Sequence, residues 1–374
     1  MTPQPIPFLD LRPTQDRECV VAAICRVIDR GIFVLGPEVE GFEAEFAAAT
    51  GASYAVAVNS GTDALALLLR AAGVGAGDEV ITTAFAPAFT ANAIVMTGAV
   101  PVFVDVEKHR PTLDPDLVGQ AVTSRTRAIV PVHLYGQPVN LSAMAAVARS
   151  HGIALIEDCA QAHFATWQGA PVGTCGIGGA FSFYPTKNLG ALGDGGAVVT
   201  NDAAIAERVR RLRNGGQAER NRHVETGVNS RLDEMQAAIL RLRLSRLGDW
   251  TAERRRLAMA YARSLNPDVV ALLPRDPGHV YHLFVVRSNN RDVLRAHLSS
   301  LGIGTLVHYP TPVPLQPAFH KANQTSYPNA ERLSAQVVSL PLRPDLSEEQ
   351  VLRVCAAVNA FRETKPTARL DDLG

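Results

Sequence analysis

The sequence predicts an α/β fold in which a large, mostly parallel sheet is followed by a second, smaller α/β unit. The chain has 374 residues, which exceeds one ordinary small domain and favours two. Between about residues 50 and 200, short β-rich runs alternate with helical runs rich in Ala and Leu. A long helical pattern separates this part from a second α/β stretch. We therefore expect two domains.

Seven apolar runs in the first part of the chain have the length and composition of buried strands. They cover residues 54–58, 79–83, 100–106, 127–133, 153–157, 180–183 and 196–200. Helical runs such as 62–72 and 142–150 lie between several of them. This alternation predicts a parallel sheet covered on both faces, with ligands at the carboxyl ends of the strands.

The second part of the chain begins with a helical pattern over residues 232–265 that only Gly248 interrupts. Beyond it we expect a strand at 280–287, a helix at 291–301 and a terminal helix at 345–361, where Ser347 and Gln350 have capping-box spacing. Four prolines in residues 309–317 predict an extended loop. We therefore expect a large domain with an N-terminal arm over 1–248 and a small domain over 249–374.

The composition excludes several kinds of partner and site. Basic and acidic residues number 36 each, which argues against nucleic acid or an anionic membrane as the main partner. The five cysteines show no CxxC spacing and the ten histidines no HExxH motif, so we expect neither disulfides nor a metal. No signal pattern and no membrane-spanning run is present, and we expect a soluble, cytoplasmic protein.

The segment 59–63 lies directly after a predicted strand and before a predicted helix. Ser60 can cap that helix, and Gly61 would let a ligand approach the backbone. The free N–H groups of a first helical turn bind anions well. A capped helix start without a ligand explains the segment equally well.

Two further segments follow strands at the same predicted edge. The first holds Glu157, Asp158 and His163; we interpret Glu157 as a satisfied surface carboxylate, and a lone histidine is more often structural. The second places Lys187 among aromatic and small residues, which lower the pKa of an amine and suit a Schiff base. A surface lysine in a glycine-rich turn is the ordinary alternative, which Ser182 and the nearby glycines weaken.

Other common catalytic motifs are missing from the sequence. The glycine cluster at 73–77 precedes a strand, whereas a dinucleotide-binding fingerprint follows one. The sequence also has no Walker-type phosphate loop and no G-x-S-x-G nucleophile elbow.

Taken in their order, these segments resemble the DegT/DnrJ/StrS sugar aminotransferases. These are fold-type-I enzymes of the aspartate aminotransferase superfamily that use pyridoxal 5'-phosphate. The matching motifs are PFLDL from Pro7, NSGTDAL from Asn59, HLYGQP from His133, EDCAQAH from Glu157, SFYPTKNLGALGDGGAV from Ser182, GVNSRLDEMQAAIL from Gly227 and HYPTPVPLQPAF from His308. The resemblance covers nearly the whole chain and implies a seven-stranded, mostly parallel sheet in the large domain.

The resemblance implies how the cofactor ring is held. Lys187 would carry the cofactor as a Schiff base and move a proton between the substrate and cofactor carbons. Asp158 would pair with the pyridinium nitrogen, and Gln161 would bond the ring hydroxyl. An aromatic side chain usually covers the ring in this family, whereas this sequence has Pro87 at that position, so Phe85, Phe89 or an aliphatic surface must replace it.

The resemblance also implies the phosphate site and the subunit arrangement. The amides of Gly61 and Thr62 and the hydroxyl of Ser182 would bind the cofactor phosphate. Asn229 would reach the phosphate of a neighbouring subunit, which implies a homodimer with shared active sites. Candidate substrate contacts are His163, Tyr184, Arg231, His308 and Tyr309, with Arg231 considered for a carboxylate.

The reaction that the resemblance implies is a two-stage amino transfer. An amino acid, with L-glutamate expected, gives its nitrogen to the cofactor, and a keto sugar then accepts it. The sugar is expected on a nucleotide diphosphate, most often of thymidine, and amination at carbon three is favoured. A 4-keto sugar nucleotide and an inosose stay open as acceptors. A catalytically silent regulator is the alternative from another class, and retention of Lys187, Asp158, Gln161 and Asn229 argues against it.

Overall fold

The computed structural model describes residues 4–12, 16–320 and 326–362. Its helices are α1 (Arg17–Arg30), α2 (Pro37–Thr50), α3 (Gly61–Ala71), α4 (Phe89–Met96), α5 (Pro115–Ala121), α6 (Leu141–His151), α7 (Ala203–Arg213), α8 (Glu234–Leu244), α9 (Leu247–Ser264), α10 (Arg291–Ser300), α11 (Pro328–Gln336) and α12 (Glu348–Ala360). Its strands are β1 (Tyr54–Val58), β2 (Glu79–Thr83), β3 (Val100–Val104), β4 (Thr126–Val130), β5 (Ala154–Asp158), β6 (Thr166–Trp167), β7 (Ala170–Pro171), β8 (Gly178–Ser182), β9 (Gly196–Thr200), β10 (Gln217–Glu219), β11 (Arg222–His223), β12 (Ala271–Leu272), β13 (Phe284–Arg287) and β14 (Val337–Leu340).

The seven predicted strands form one sheet in the order β1-β9-β8-β5-β4-β2-β3. Strands β3, β2, β4, β5 and β8 pair in parallel, and only β9 runs antiparallel to both of its neighbours. The predicted mostly parallel sheet is confirmed. Because β1 is antiparallel to β9, the carboxyl ends of β1, β5 and β8 meet at the same edge.

Both faces of this sheet are covered by apolar side chains. Along β1, Ala55 and Ala57 belong to the core beneath α2, whereas Val56 and Val58 belong to the core beneath α3. Successive residues of a strand point to opposite faces, so a strand buried on both faces becomes a continuous apolar run. This explains why the sequence pattern found the fully buried strands, such as β2 and β9.

A second core lies around the antiparallel sheet β12-β13-β14 and helices α9, α10 and α12. Ile6 is fully buried in this core. Its N–H donates to the Gly302 carbonyl at 2.9 Å, and its carbonyl accepts from Gly304 N–H at 2.9 Å. The N-terminal segment therefore packs on the C-terminal part of the chain. The division at residue 248 stays a prediction, and residues 1–3, 13–15, 321–325 and 363–374 of its two spans lie outside the described residues.

The expectation of one helix over residues 232–265 is wrong in detail. Helix α8 ends at Leu244 and α9 begins at Leu247, and Gly248 lies inside the first turn of α9 rather than at a break. Leu240 of α8 is buried in the core of the large sheet, whereas Leu257 of α9 is buried in the second core. The two helices diverge because they bury their apolar faces in different cores.

Two other expectations need correction, and one is confirmed. The strand expected at 280–287 begins only at Phe284, because the backbone N–H groups of Val280 and Leu283 donate instead to the carbonyls of Gly136 and Tyr135. The loop at 309–317 contains a short 3-10 turn, Val313–Leu315. The predicted capping box of the terminal helix is confirmed at Ser347. No helix among the described residues combines the length and apolar character needed to cross a membrane.

Candidate active site

A cavity of about 470 Å³ opens at the carboxyl edge of the large sheet. Its walls come from the β1–α3 turn, the ends of β5 and β8, the loop after β8, and parts of the C-terminal region. Nine of the predicted site residues line it: Gly61, Thr62, Asp158, Gln161, Ser182, Tyr184, Lys187, His308 and Tyr309. Residues from four separate motifs are thus brought together, and three of these motifs follow strands that end at this edge of the sheet.

The Lys187 side chain lies in the loop that joins β8 to β9. This loop is held across its base by hydrogen bonds from Phe183 N–H to the Gly195 carbonyl at 2.7 Å and from Ala191 N–H to the Phe183 carbonyl at 2.8 Å. Burial lowers the pKa of Lys187 from 10.5 to about 8, and the nearby Asp158 partly opposes this shift. A larger share of neutral amine is therefore present near neutral pH than in an ordinary lysine.

The Asp158 carboxylate ends β5 and is held by two hydrogen bonds. The Thr90 hydroxyl donates to Oδ2 at 2.7 Å, and the Ala160 N–H donates to Oδ1 at 3.0 Å. The two donors fix the orientation of the carboxylate. The sequence gives no sign of the Thr90 contact, because the two residues are 68 positions apart.

Gln161 is held at both ends of its side-chain amide. Its Oε1 accepts from the Tyr135 N–H at 2.7 Å, and its Nε2 donates to the Tyr309 hydroxyl oxygen at 2.9 Å. Burial raises the pKa of Tyr309 to about 12. The Tyr135 hydroxyl in turn donates to the His308 carbonyl, so the 308–309 loop and the Gln161 amide form one hydrogen-bonded unit.

The β1–α3 turn and the end of β8 form a cradle for an anion. Ser60 caps α3 as predicted, its Oγ accepting from the Asp63 N–H at 3.1 Å. A Cβ added at Gly61 would lie 2.6 Å from the Ser182 Cβ, so only glycine lets the helix start approach this strand. The first-turn N–H groups of α3 and the Ser182 hydroxyl therefore converge, which suits a phosphate.

The segment after β2 contains Pro87, at the position where the resemblance led us to expect an aromatic side chain over the cofactor ring. Pro87 and Phe89 both line the cavity, and the Phe89 ring is 65% exposed. Phe85 is fully buried in a core cluster and does not reach the cavity. Of the two phenylalanines considered as replacements, Phe89 is the one on the cavity wall.

Three predicted residues do not line the cavity in a single chain. His163 is fully buried beside the rings of Phe181 and Phe183, and burial, with a smaller effect from Lys187, lowers its pKa to about 3. This geometry does not support a substrate contact for His163. Asn229 is exposed, and Arg231 donates from Nη1 to the Asn214 Oδ1 at 3.2 Å. The roles predicted for Asn229 and Arg231 would need a second subunit.

The interpretation of Glu157 as a surface carboxylate is wrong, although the side chain is satisfied. Glu157 is fully buried and accepts hydrogen bonds from the N–H groups of Gly173 and Cys175 at 2.8 Å. It also pairs with the His133 Nε2 at 3.0 Å. Nothing in the strand pattern indicates that the 173–175 turn packs over Glu157, so the sequence alone predicts a surface group.

His133, Glu157 and Cys159 place their possible ligand atoms within 4.8 Å of one another. The His133 Nδ1 accepts from the Val139 N–H at 3.1 Å, so Nε2 carries the proton and donates to Glu157. Burial raises the pKa of the Cys159 thiol well above its usual range. Hydrogen bonds thus occupy the His133 and Glu157 atoms, and the group supports β5 from behind the cavity.

Sequence reasoning missed several residues on the cavity wall. Thr90, Asp194, Arg254 and His282 all line it. The His282 Nδ1 lies 3.3 Å from the Asn188 Oδ1, and burial lowers the pKa of His282 well below its usual value. Arg254 and His282 belong to the second part of the chain and lie in none of the motifs identified in the sequence. The sequence therefore does not indicate that they reach the sheet edge.

Comparisons with known proteins agree with this geometry. The model of the DegT/DnrJ/EryC1/StrS aminotransferase family matches residues 14–359. A dTDP-3-amino-3,4,6-trideoxy-alpha-D-glucose transaminase of Streptomyces venezuelae is 49% identical over 365 residues, covering 96% of each chain. A UDP-N-acetyl-3-dehydro-alpha-D-glucosamine 3-aminotransferase of Acidithiobacillus ferrooxidans is 43% identical over 94% of this chain and 97% of its own.

Two solved structures are similar over nearly the whole chain. The crystal structure of S. venezuelae DesV with a ketimine intermediate has a TM-score of 0.93 at 49% identity, covering 96% of this chain and 98% of DesV. The structure of NtdA from Bacillus subtilis, described with bound cofactor PMP, has a TM-score of 0.89 at 30% identity, covering 96% of this chain and 86% of NtdA.

Proposed function

Because the chain belongs to the DegT/DnrJ/EryC1/StrS aminotransferase family, we propose that it transfers an amino group from an amino acid to a keto carbon of a nucleotide-linked sugar. As a member of this family it is a transaminase that depends on pyridoxal phosphate. The observation that carries the proposal is one cavity lined by the Lys187 amine, the oriented Asp158 carboxylate and the anion cradle. The amine would bind the cofactor and transfer protons, the carboxylate would pair with the ring nitrogen, and the cradle would bind the phosphate.

The residues present fit pyridoxal phosphate. The cradle at Gly61, Thr62 and Ser182 suits its phosphate, because glycine alone allows the close approach of helix and strand. Asp158 would hold the proton on its ring nitrogen, and Gln161 would lie near its ring hydroxyl. When bound, the cofactor supplies an electron-accepting ring that stabilises negative charge on the substrate carbon.

The chain's own residues would handle the protons. Lys187 would hold the cofactor covalently at rest and would then act as the base and acid at the reacting substrate carbon. Its pKa of about 8 suits both directions of proton transfer near neutral pH. The Thr90 hydroxyl and the Ala160 N–H hold the Asp158 carboxylate in a fixed orientation while this happens.

We expect Lys187→Ala to abolish amino transfer, because no other amine lines the cavity among the described residues. Borohydride should link the cofactor to the wild-type chain at Lys187 and leave the variant unlabelled, as peptide mass spectrometry would show. Lys108→Ala, at an exposed lysine, is the control. Labelling of the Lys187→Ala chain would contradict the assignment.

The finer substrate proposal is a dTDP-linked 3-keto deoxysugar with L-glutamate as donor. It is supported by the 49% identity to a relative named for a dTDP-3-amino sugar and by a second relative named as a 3-aminotransferase. The second relative is named for a UDP sugar, so the test compares both nucleotides. The test is to incubate the enzyme and L-glutamate with 3-keto and 4-keto sugars on dTDP and UDP. Faster conversion of the 4-keto sugars would contradict the assignment to carbon three.

A further inference from the structure

The Glu157 side chain joins three segments of the chain behind the candidate active site. Its Oε1 accepts a hydrogen bond from the Cys175 N–H, and its Oε2 accepts one from the Gly173 N–H, each at 2.8 Å. Oε2 also pairs with the His133 Nε2 at 3.0 Å. Glu157 and His133 are fully buried, where hydrogen bonds are strong and costly to break. Because Asp158 is the next residue of β5, its side chain points to the opposite face of the sheet.

The ring of His133 is fixed in one orientation. Its Nδ1 accepts from the Val139 N–H at 3.1 Å, so its proton is on Nε2 and is donated to Glu157. The backbone of His133 holds the same strand: its N–H donates to the Asp158 carbonyl at 3.1 Å. The Asp158 N–H donates to the Pro131 carbonyl at 3.0 Å. His133 therefore holds β5 through its backbone at one residue and through its side chain at the residue before.

The turn after His133 carries a second set of contacts to the cavity wall. The Tyr135 N–H donates to the Gln161 Oε1 at 2.7 Å, and the Tyr135 hydroxyl donates to the His308 carbonyl. Tyr135 has a φ of 61°, a left-handed conformation that persists only where the surrounding bonds hold it. The bond from the Val139 N–H to the His133 ring closes this turn at its base. The direction of the Tyr135 N–H therefore depends on His133.

Two simpler explanations of this buried pair account for less of its geometry. A metal ion would need the lone pair of the His133 Nε2, but that nitrogen carries a proton that is donated to Glu157. Apolar side chains could fill the same space at lower cost, because a buried carboxylate loses its hydration. Hydrogen bonds fix directions that apolar contacts leave free. The pair therefore suits a role in orientation better than a role in filling the core.

We propose that His133 and Glu157 are positioning residues that together fix the two side chains expected at the cofactor ring. They act on Asp158 through the end of β5 and on Gln161 through the Tyr135 turn. The inference rests on the proposed function, in which those two side chains contact the ring. Neither His133 nor Glu157 lines the cavity. Their loss should therefore change how the ring is held and leave the access of substrates unchanged.

The first test is a pH titration of the bound cofactor's absorption in the Glu157→Gln holoenzyme. This variant keeps the shape of the side chain but places an NH₂ group against an N–H donor. A ring nitrogen whose carboxylate is displaced withdraws fewer electrons from the nitrogen linked to Lys187, which then keeps its proton to higher pH. We expect the midpoint to rise by about one pH unit, the size of one lost hydrogen bond to a charged group. An unshifted midpoint would overturn the proposal.

Steady-state kinetics of the same variant gives a second readout. We expect kcat to fall about tenfold, again the size of one charged hydrogen bond, while KM for the donor and the acceptor changes little. A large rise in KM with an unchanged kcat would show that the variant disturbs the cavity wall, which contradicts a positioning role.

Variants of His133 test whether the two residues act as a pair. His133→Leu removes the donor to Glu157 and should raise the titration midpoint as Glu157→Gln does. His133→Gln offers an N–H donor again and should recover part of the shift. The shift in the double variant His133→Leu/Glu157→Gln should be smaller than the sum of the two single shifts, because both remove the same bond. Additive shifts would show that the residues act independently and would overturn the pairing.

Cys159→Ala is the matched control. Cys159 lies two residues after Glu157, is fully buried, and has its Sγ in the same group of atoms within 4.8 Å. Its substitution removes none of the hydrogen bonds of the pair and should leave the titration midpoint unchanged. If a metal ion held the group, Cys159→Ala would shift the midpoint as Glu157→Gln does, and elemental analysis of the wild type would find the metal. That result would overturn the proposal.

Thermal melting of each cofactor-free variant separates positioning from folding. A variant that melts earlier but has the wild-type titration midpoint would show a purely structural role and would overturn the proposal. If Glu157→Gln does not fold, the two His133 variants carry the comparison. The proposed function fails separately, if the wild type aminates no nucleotide-linked keto sugar; the titrations need no sugar and still decide the role of the pair.

Discussion

At the scale of single residues, the Thr90 hydroxyl is the group that orients Asp158. It donates to the Asp158 Oδ2 at 2.7 Å inside the cavity wall, where little water competes. Thr90→Val keeps the shape of the side chain and leaves that oxygen without a donor. We expect turnover to fall about tenfold, which corresponds to one charged hydrogen bond. Steady-state kinetics checks this.

Thr90→Ser is the rescue variant, because it restores the hydroxyl. It should recover most of the lost turnover, and the pH dependence of the bound cofactor's absorption should return to that of the wild type. If valine and serine at position 90 behaved alike, the hydroxyl would have no positioning role.

The lowered pKa of Lys187 makes the stability of the cofactor-free protein depend on pH. The folded state binds fewer protons at Lys187 than the unfolded chain between about pH 8 and pH 10.5, so burying the ammonium is costly below pH 8, and this cost fades as pH rises. We expect Lys187→Met to raise the free energy of unfolding near pH 7 by on the order of 1–3 kcal/mol, and by less near pH 10. Urea denaturation at both pH values measures the difference.

The exposed Lys108 provides the control for that measurement. Lys108→Met should leave the free energy of unfolding unchanged at either pH. A gain for Lys187→Met that did not shrink as pH rises would show that packing, rather than charge, is responsible.

At the scale of elements, the contact between α3 and β8 shapes the phosphate cradle. In Gly61→Ala the new Cβ would meet the Ser182 Cβ at 2.6 Å, so the helix start must move away from the strand. We expect a loss of about 1–3 kcal/mol in stability and weaker cofactor binding. Ser182→Ala removes the hydroxyl without a clash and should weaken cofactor binding alone. Equal stability of Gly61→Ala and wild type in urea would contradict this account.

The sequence was informative about elements where burial is uniform. Strands such as β1 and β9 are apolar on both faces, so their limits could be predicted from composition. The break between α8 and α9 could not, because Ser245 and Arg246 are ordinary helix formers and the break depends on which core each helix meets. Long-range side-chain contacts, such as that of Thr90 with Asp158, likewise cannot be predicted from a local sequence pattern.

The candidate site was predictable to a similar degree. Its motifs lie at strand ends, and parallel strands bring such ends to one edge, so the Lys187 and Asp158 groups could be expected to meet. Arg254 and His282 come from helices and loops of the second core, whose docking on the sheet follows no spacing rule. The structure was needed to bring them to the cavity.

At the scale of the whole molecule, apolar side chains remain exposed around the end of α1. Four apolar side chains there are 41–54% exposed: Ile28, Ile32, Phe33 and Val34. The Phe33 carbonyl accepts a hydrogen bond from the Glu234 N–H. Glu234 is five residues after Asn229, so this apolar surface lies on a segment bonded to the one that follows Asn229. An exposed apolar group of this size commonly marks a protein interface. It supports the proposed homodimer, in which Asn229 would reach the neighbouring site.

We expect Phe33→Glu to shift the protein from dimer to monomer and to reduce cofactor binding, because Asn229 would no longer be supplied by a partner. Light scattering after size-exclusion chromatography measures the mass. Val293→Glu changes an equally exposed apolar residue on α10 and should leave the dimer intact. A monomeric wild type would contradict the shared site.

The pairing of Ile6 with Gly302 and Gly304 has a consequence for synthesis of the chain. Phe8 and Leu9, which follow Ile6, line the cavity together with Leu340 and Leu342. A chain still on the ribosome can form the large sheet, but its N-terminal segment cannot pack until residues 302–304, nearly 300 positions later, have been synthesised. The catalytic chamber is therefore among the last parts to close, and a chain truncated before residue 302 should be unable to retain the cofactor however well its sheet has formed.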